Sequence, residues 1–421
     1  MVALLATAAN PPFVRADGVY LGVATCASGM CHGSIVARGG SHVAQNEYTV
    51  WSRRDAHARA YQTLSNERAR QIAQRLGLGP AEKSGACTSC HAIDVAPEQR
   101  GPKFQISDGV FCEGCHGAAA SWIETHEDAG RTHAENITHG MRALDDPQVR
   151  AAVCMPCHQG SADRAVTHRL MAAGHPRLSF ELDTFTYLEP AHFRLDDDYR
   201  ARKVAADSAT VWAAGQAASV ASYMALLARP RSNREGMWPE FSLFDCFGCH
   251  HDIGTLPVSF TARTLGLPRA GSSSVTLYRV LTEQLWQQRS SELDRDLATV
   301  QSAVPDRKEL ATSSARVADS ALADARKLAK TSFDRNQLEA LLARLSSNEA
   351  AARYRTYADA EQATMGIQAL LATLSERGAL AGGRAARLQS ALDGLFDATR
   401  NEQVFRAATF AQALAKLRAA L

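Results

Sequence analysis

Gly109-Val-Phe-Cys112-Glu-Gly-Cys115-His116-Gly117 sets two cysteines two residues apart and places a histidine directly after the second thiol. The same ending recurs wherever cysteine occurs. It is found in Cys87-Thr-Ser-Cys90-His91, Cys154-Met-Pro-Cys157-His158 and Cys246-Phe-Gly-Cys249-His250. Cys26-Ala-Ser-Gly-Met-Cys31-His32 has two extra residues between its thiols. All ten cysteines are thereby used. The spacing is that of c-type haem attachment: two thiols add across the two vinyl groups of one haem, and the adjacent imidazole lies under the iron as its proximal ligand. We read five covalently held haem c groups with His32, His91, His116, His158 and His250 as proximal ligands.

Zinc and disulfides are the alternatives. Cys87-x-x-Cys90 and Cys112-x-x-Cys115 have the look of two halves of a zinc ribbon. Neither zinc nor a disulfide requires a histidine after the second cysteine of every pair. The chain has 14 histidines in 421 residues, so five hits in five motifs are not chance.

Composition narrows the class. Hydrophobic residues make up 46% of the chain, ample for a core, and the formal charge is +2. Each haem adds two propionates, so the loaded protein is neutral to acidic unless these are buried beside arginine. No Lys/Arg-rich run points to nucleic acid. Covalent haem attachment takes place on the exported side of a membrane, so a periplasmic or extracellular protein is expected, soluble or peripheral to a membrane. Val2 to Ala9 is a short apolar run before Asn10-Pro11-Pro12 with no basic residue ahead of it, so residues 1–18 read as a residual signal peptide and lead. Ser208 to Ala228 carries no charge and is long enough to span a bilayer. Its Ala, Gly and Ser content fits a buried helix packed through small residues better, and no transmembrane span is expected.

Every cysteine and histidine lies before Asp252. A loop-rich pentahaem domain is therefore expected over residues 19–256, followed by a haem-free helical domain over 257–421, separable by truncation near Pro257. In the second part Leu281, Leu285, Leu293, Leu297 and Val300 have helical spacing, stopped by Pro305. Further helices are expected over Lys308–Ala329, Asp334–Leu345, Asn348–Glu376 and Arg384–Leu421, with Ser332, Asp334 and Ser347 as N-caps. No strand-like alternation stands out. The fold class is mainly α: a loop-rich multihaem cytochrome c domain followed by a C-terminal helical bundle.

Nine histidines stand outside the motifs: His42, His57, His126, His133, His139, His168, His175, His192 and His251. Imidazole is a favoured ligand of haem iron, so these are the sources of distal ligands. His42, His126 and His168 each follow a motif histidine by ten residues, a weak internal repeat. His57 opens a helix-like stretch, and Pro176 forces His175 out of helical geometry. His251 adjoins His250 and cannot reach the same iron from the opposite face. Met141, Met171 and Met237 are weaker candidates, better explained by packing.

The Gly109–Gly117 element with His126 following it resembles the multihaem cytochromes of the cytochrome c-554 and hydroxylamine oxidoreductase-related family. Trp51-x-x-x-Asp55-x-His57 and His168-x-x-x-Ala172-Ala-Gly-His175-Pro176 resemble recurrent features of the same proteins. The resemblance spans Cys26 to Asp252 and implies closely stacked haems and electron transfer. It favours His126, His175 and His57 as distal ligands; His168, His251, His42 and His192, in decreasing order as candidates, compete for the remaining positions. The two extra residues in the first motif depart from the family, and no motif ends in Cys-Lys, the mark of the pentahaem nitrite reductases. The function expected is an exported electron carrier with mostly bis-histidine haems, whose partners are redox proteins, other multihaem cytochromes among them. The competing readings are an oxidoreductase acting on a small nitrogen or sulfur species at one five-coordinate haem, and a docking subunit. No catalytic residue is assigned.

Overall fold

The structure, a computed structural model, describes residues 18–39, 42–161, 163–228, 240–244, 246, 250, 273–380 and 382–421. The N-terminal apolar run, Met237, Cys249, His251 and the domain boundary expected at residue 256 lie outside them. Among the described residues the fold is mainly α, and β-pairing is confined to two isolated bridges, Tyr20 with Arg100 and Ser161 with Arg164.

The first half is built from short helices joined by turns. These are α1 (Glu47–Arg54), α2 (Glu67–Leu76), α3 (Gly85–His91), α4 (Cys112–His116), α5 (His133–Thr138), α6 (Pro147–His158), α7 (His168–Ala172), α8 (Leu182–Leu188) and α9 (Asp197–Arg202). Three of them, α3, α4 and α6, end on a motif histidine. A helical turn places both thiols of a C-x-x-C pair and the following imidazole along one side, as the attachment chemistry requires.

Longer helices follow: α10 (Ser208–Ala228), α11 (Ser273–Leu285), α12 (Gln287–Ala303), α13 (Arg307–Leu328), α14 (Arg335–Leu345), α15 (Asn348–Ala351), α16 (Tyr357–Glu376), α17 (Gly382–Ala398) and α18 (Ala407–Ala420). Three breaks were not anticipated. Trp286 leaves helical geometry between α11 and α12, and Lys327 of α13 covers its ring. Thr356 and Asp359 form a capping box that starts α16 afresh after α15. Asn401 caps a short turn that separates α17 from α18. Asp334 and Ser347 are N-caps as expected, whereas Ser332 caps nothing described.

Helix α10 is the axis of the molecule. Although it belongs by sequence to the haem half, it packs against α13, α11 and α16 as well as α6 and α8. Of its most apolar stretch, 89% is buried. Small residues permit the approach: a β-carbon on Gly215 would lie 2.7 Å from Leu182 Cβ, and one on Gly366 of α16 would lie 2.7 Å from Trp212 Nε1. The polar groups of α10 are joined across the core, Gln216 to Gln362 at 3.1 Å and Ser219 to both Gln159 and Ser274 at 2.7 Å. One apolar core therefore runs from Ala151 and Met155 on the motif-bearing helix α6, through α10, to Leu417.

Candidate haem sites

Seven of the described imidazoles are held through Nδ1: His42 by Asp198, His139 by the carbonyl of Glu135, and five more. His32 Nδ1 bonds Glu47 Oε2 at 2.9 Å, and His57 Nδ1 bonds Asp55 Oδ1 at 2.9 Å. His91 Nδ1 lies 3.1 Å from the carbonyl of Ala60 and 3.0 Å from Thr63 Oγ1. His126 Nδ1 bonds the carbonyl of Ile123 at 2.6 Å and His175 Nδ1 that of Pro176 at 2.8 Å. A metal-bound histidine characteristically engages its second ring nitrogen in this way, which fixes the tautomer and leaves Nε2 for the metal. His133 is the contrast: its Nε2 is taken by Asp145 at 2.9 Å.

Four ring pairs then form, each joining one motif histidine to one histidine from elsewhere. Ring centroids are 6.3 Å apart for His32 and His126, 5.9 Å for His158 and His57, 6.2 Å for His116 and His192, and 6.2 Å for His250 and His168. Two metal–nitrogen bonds of about 2 Å, plus about 1 Å from each nitrogen to its ring centre, give a separation of roughly 6 Å. The residues present thus fit one iron held between each pair. The remaining motif histidine, His91 of the second motif, has His175 as an electrostatic neighbour: burial first, and then the charge of His91, hold the His175 imidazole below its usual value.

Electrostatics favour the neutral, ligating form where burial is deepest. Desolvation, with His192 next, lowers His116 to about 3, and desolvation followed by His57 lowers His158 to about 4. Phe180 and Phe185 wall in the His158 ring at 5.6 and 5.1 Å. His57 and His32 are raised instead, each first by the hydrogen bond to its carboxylate.

The motifs are also brought against one another. The thiols of Cys26 and Cys112 are electrostatic neighbours, as are those of Cys90 and Cys157. Cys154 lies near enough to Cys115 to raise it, after the larger effects of burial and of Glu189. Cys112 and Cys90 thus face the first and fourth motifs, not each other as the halves of a zinc ribbon would. Among the described residues, the groups that converge like metal ligands are Asp55, His57 and Glu189. Cys31 and Cys246 are exposed, and Cys87 is half-buried.

Glu113, between the cysteines of the third motif, is 1% exposed and accepts backbone hydrogen bonds from Leu21 at 2.9 Å, Gly22 at 2.8 Å and Ala119 at 2.7 Å. It thereby ties the chain entering the first motif to the third. Gly109, with φ of 72°, passes under His57; a β-carbon there would lie 2.7 Å from the His57 carbonyl. Trp51 Nε1 donates to Val110 O at 3.0 Å, so the Trp51–His57 and Gly109–Gly117 elements are one unit in space.

The candidate distal ligands fall into distinct places. His126 and His168 lie opposite the first and fifth motifs, not the motifs they follow in sequence. His57, on a single turn (Ala56–Arg59) capped by Asp55, faces the fourth motif. His192, placed last by sequence, faces the third; nothing in its local spacing marks it. His42 is 71% exposed and bonded to Asp198, with no motif ring beside it among the described contacts. His139 bonds the carbonyl of Glu135 in its own helix.

With this geometry in view, residues 25–117 match the family described as cytochrome c554 and c-prime. The match takes in the first three motifs and supports a c-type cytochrome that carries haem and works in electron transport. No curated protein and no solved structure matches the chain.

Proposed function

We propose that this protein is an exported pentahaem c-type cytochrome that passes electrons between redox partner proteins through five bis-histidine sites. The sites are His32 with His126, His91 with His175, His116 with His192, His158 with His57, and His250 with His168. The observation that carries the reading is the systematic pairing: four of the five motif histidines each have one non-motif histidine ring beside them, at 5.9 to 6.3 Å, and His91 has His175 as an electrostatic neighbour. Bound haem would supply one-electron chemistry. The chain supplies position. Cys26 beside Cys112, Cys115 near Cys154, and Cys157 beside Cys90 order the first four motifs as first, third, fourth, second. The export reading rests on the attachment chemistry of the motifs.

Counting haem by the pyridine haemochrome method against protein, together with the electron paramagnetic resonance spectrum of the oxidised protein, tests this. Five haems per chain, all low-spin, is the expected result. A ratio of four would remove the Cys26–His32 motif from the set. A high-spin fraction that binds cyanide or nitric oxide would turn one site into an open, enzyme-like centre.

A further inference from the structure

Among the paired imidazoles whose Nδ1 partner is described, two differ from the others in what holds them. His91, His126 and His175 give Nδ1 to neutral oxygens, whereas His32 and His57 give it to the carboxylates of Glu47 and Asp55. Both acids sit where their charge is little screened. Asp55 is 6% exposed, and the Glu47 side chain is 15% exposed. Glu189 adds a third carboxylate, within 4.8 Å of the ligand atoms of Asp55 and His57. A carboxylate on Nδ1–H raises the basicity of the opposite nitrogen, and a more basic axial ligand with an anion behind it stabilises ferric over ferrous iron.

We propose that Glu47 and Asp55 are positioning and tuning residues that make the first-motif and fourth-motif haems the low-potential members of the set. The inference rests on the bis-histidine reading above. In the order first, third, fourth, second, the two tuned sites flank the third. A reducing equivalent entering the chain then meets alternating, not uniform, driving force. The two acids have structural duties as well, which is why the choice of variant matters. Glu47 Oε1 accepts from the backbone of Ala44 at 2.8 Å and Gln45 at 3.1 Å, apart from the oxygen that meets His32. Asp55 Oδ1 serves both the backbone N–H and Nδ1 of His57. Asn at position 55 keeps a neutral acceptor in the same place, so Asp55→Asn removes charge while retaining the cap.

Spectroelectrochemical titration of the holoprotein is the test. Asp55→Asn is expected to raise one midpoint potential, shifting the ferrous-to-ferric ratio at fixed potential on the order of tenfold, or about 59 mV for one electron. Haem count and low-spin signals should stay unchanged. Glu47→Gln should raise a different midpoint. Thr63→Val, which leaves His91 on the Ala60 carbonyl, should move its haem little. An unmoved midpoint in Asp55→Asn, or an equal shift of all five haems, would overturn the proposal. His57→Ala separates the two ideas. If it opens one haem while Asp55→Asn leaves that haem's potential alone, the tuning inference alone falls. If it changes no signal, the ligand reading falls and takes the inference with it.

Discussion

His57 meets His158 edge-on, its ring perpendicular and 5.9 Å away, although about a hundred residues separate the two in sequence. The approach is set by the backbone. Val110 donates to the His57 carbonyl at 3.1 Å, and the glycine at 109 lets that carbonyl come close. Asp55 then holds the ring through Nδ1 and leaves Nε2 free of that bond. The third-motif strap thus positions His57 beside the fourth motif.

Removing that imidazole should therefore have a local consequence. His57→Ala should leave all thioether bonds in place and convert one low-spin haem to a high-spin, ligand-binding one. His126→Ala and His192→Ala should do the same at the first and third sites, whereas His42→Ala and His139→Ala should change nothing. His57→Met should instead keep the site closed and raise its potential, because thioether favours reduced iron more than imidazole does. Low-temperature resonance spectra and cyanide titration read the outcome.

Glu113 makes the second prediction. Its two oxygens satisfy three backbone N–H groups in a buried place. Each donor left unpaired costs about 1–3 kcal/mol. Glu113→Ala should then destabilise the protein by about 3 kcal/mol or more, with the loss centred on the first and third motifs. Glu113→Gln, which retains one carbonyl oxygen, should fall between. Denaturant unfolding followed in the Soret band gives the number. A neutral Glu113→Ala would show that this tie does not hold the motifs together.

The legible part of this protein was chemical and local. The Cys-His endings announced a c-type cytochrome, the cap residues Asp334 and Ser347 placed helix starts, and the small residues of Ser208–Ala228 announced close packing. What escaped was set by contacts distant in sequence. His126 pairs with His32, not with the neighbouring His116, because its place depends on how the first motif is strapped to the third through Glu113. His192 has no local signature, and only the folded chain brings it to His116. The break before α16 was legible in Thr356-x-x-Asp359 but lay inside an apolar run that reads as one helix. Trp286 left no signal, because its departure from helical geometry is decided by packing beneath Lys327.

The third prediction concerns pH. Asp183, in the first turn of α8, is pushed up to about 8, first by burial and then by the charge of Glu181. An acid whose folded value exceeds its unfolded value binds more protons when folded. Its contribution to stability is full below the unfolded value near 4 and is lost as pH rises to about 8. Asp183→Asn removes that dependence. The variant should gain stability relative to the parent as pH rises from 5 to 8, measured by denaturant midpoints at both ends. A constant gap between the two proteins would mean that Asp183 is ionised throughout.

The last prediction is about the role of α10. The sequence invites a cut near Pro257, with a coloured half and a colourless one expected to survive apart. The packing leads to a different outcome, because α10 buries its length against α13, α11 and α16, and α6 with its motif histidine rests on the same core. A chain ended there would bare an uncharged helix of 21 residues and should aggregate or lose the fourth haem signal. A gentler test leaves the chain whole. At position 366 a side chain has nowhere to go, since Trp212 is fully buried against it. Gly366→Leu should cost about 3 kcal/mol through overpacking, although no motif residue is touched. If the core is one cooperative unit, heating this variant should move the Soret transition and the far-ultraviolet dichroism transition down together. A dichroism transition that falls alone, with the haem signals holding at the parent's temperature, would divide the molecule into two independent units.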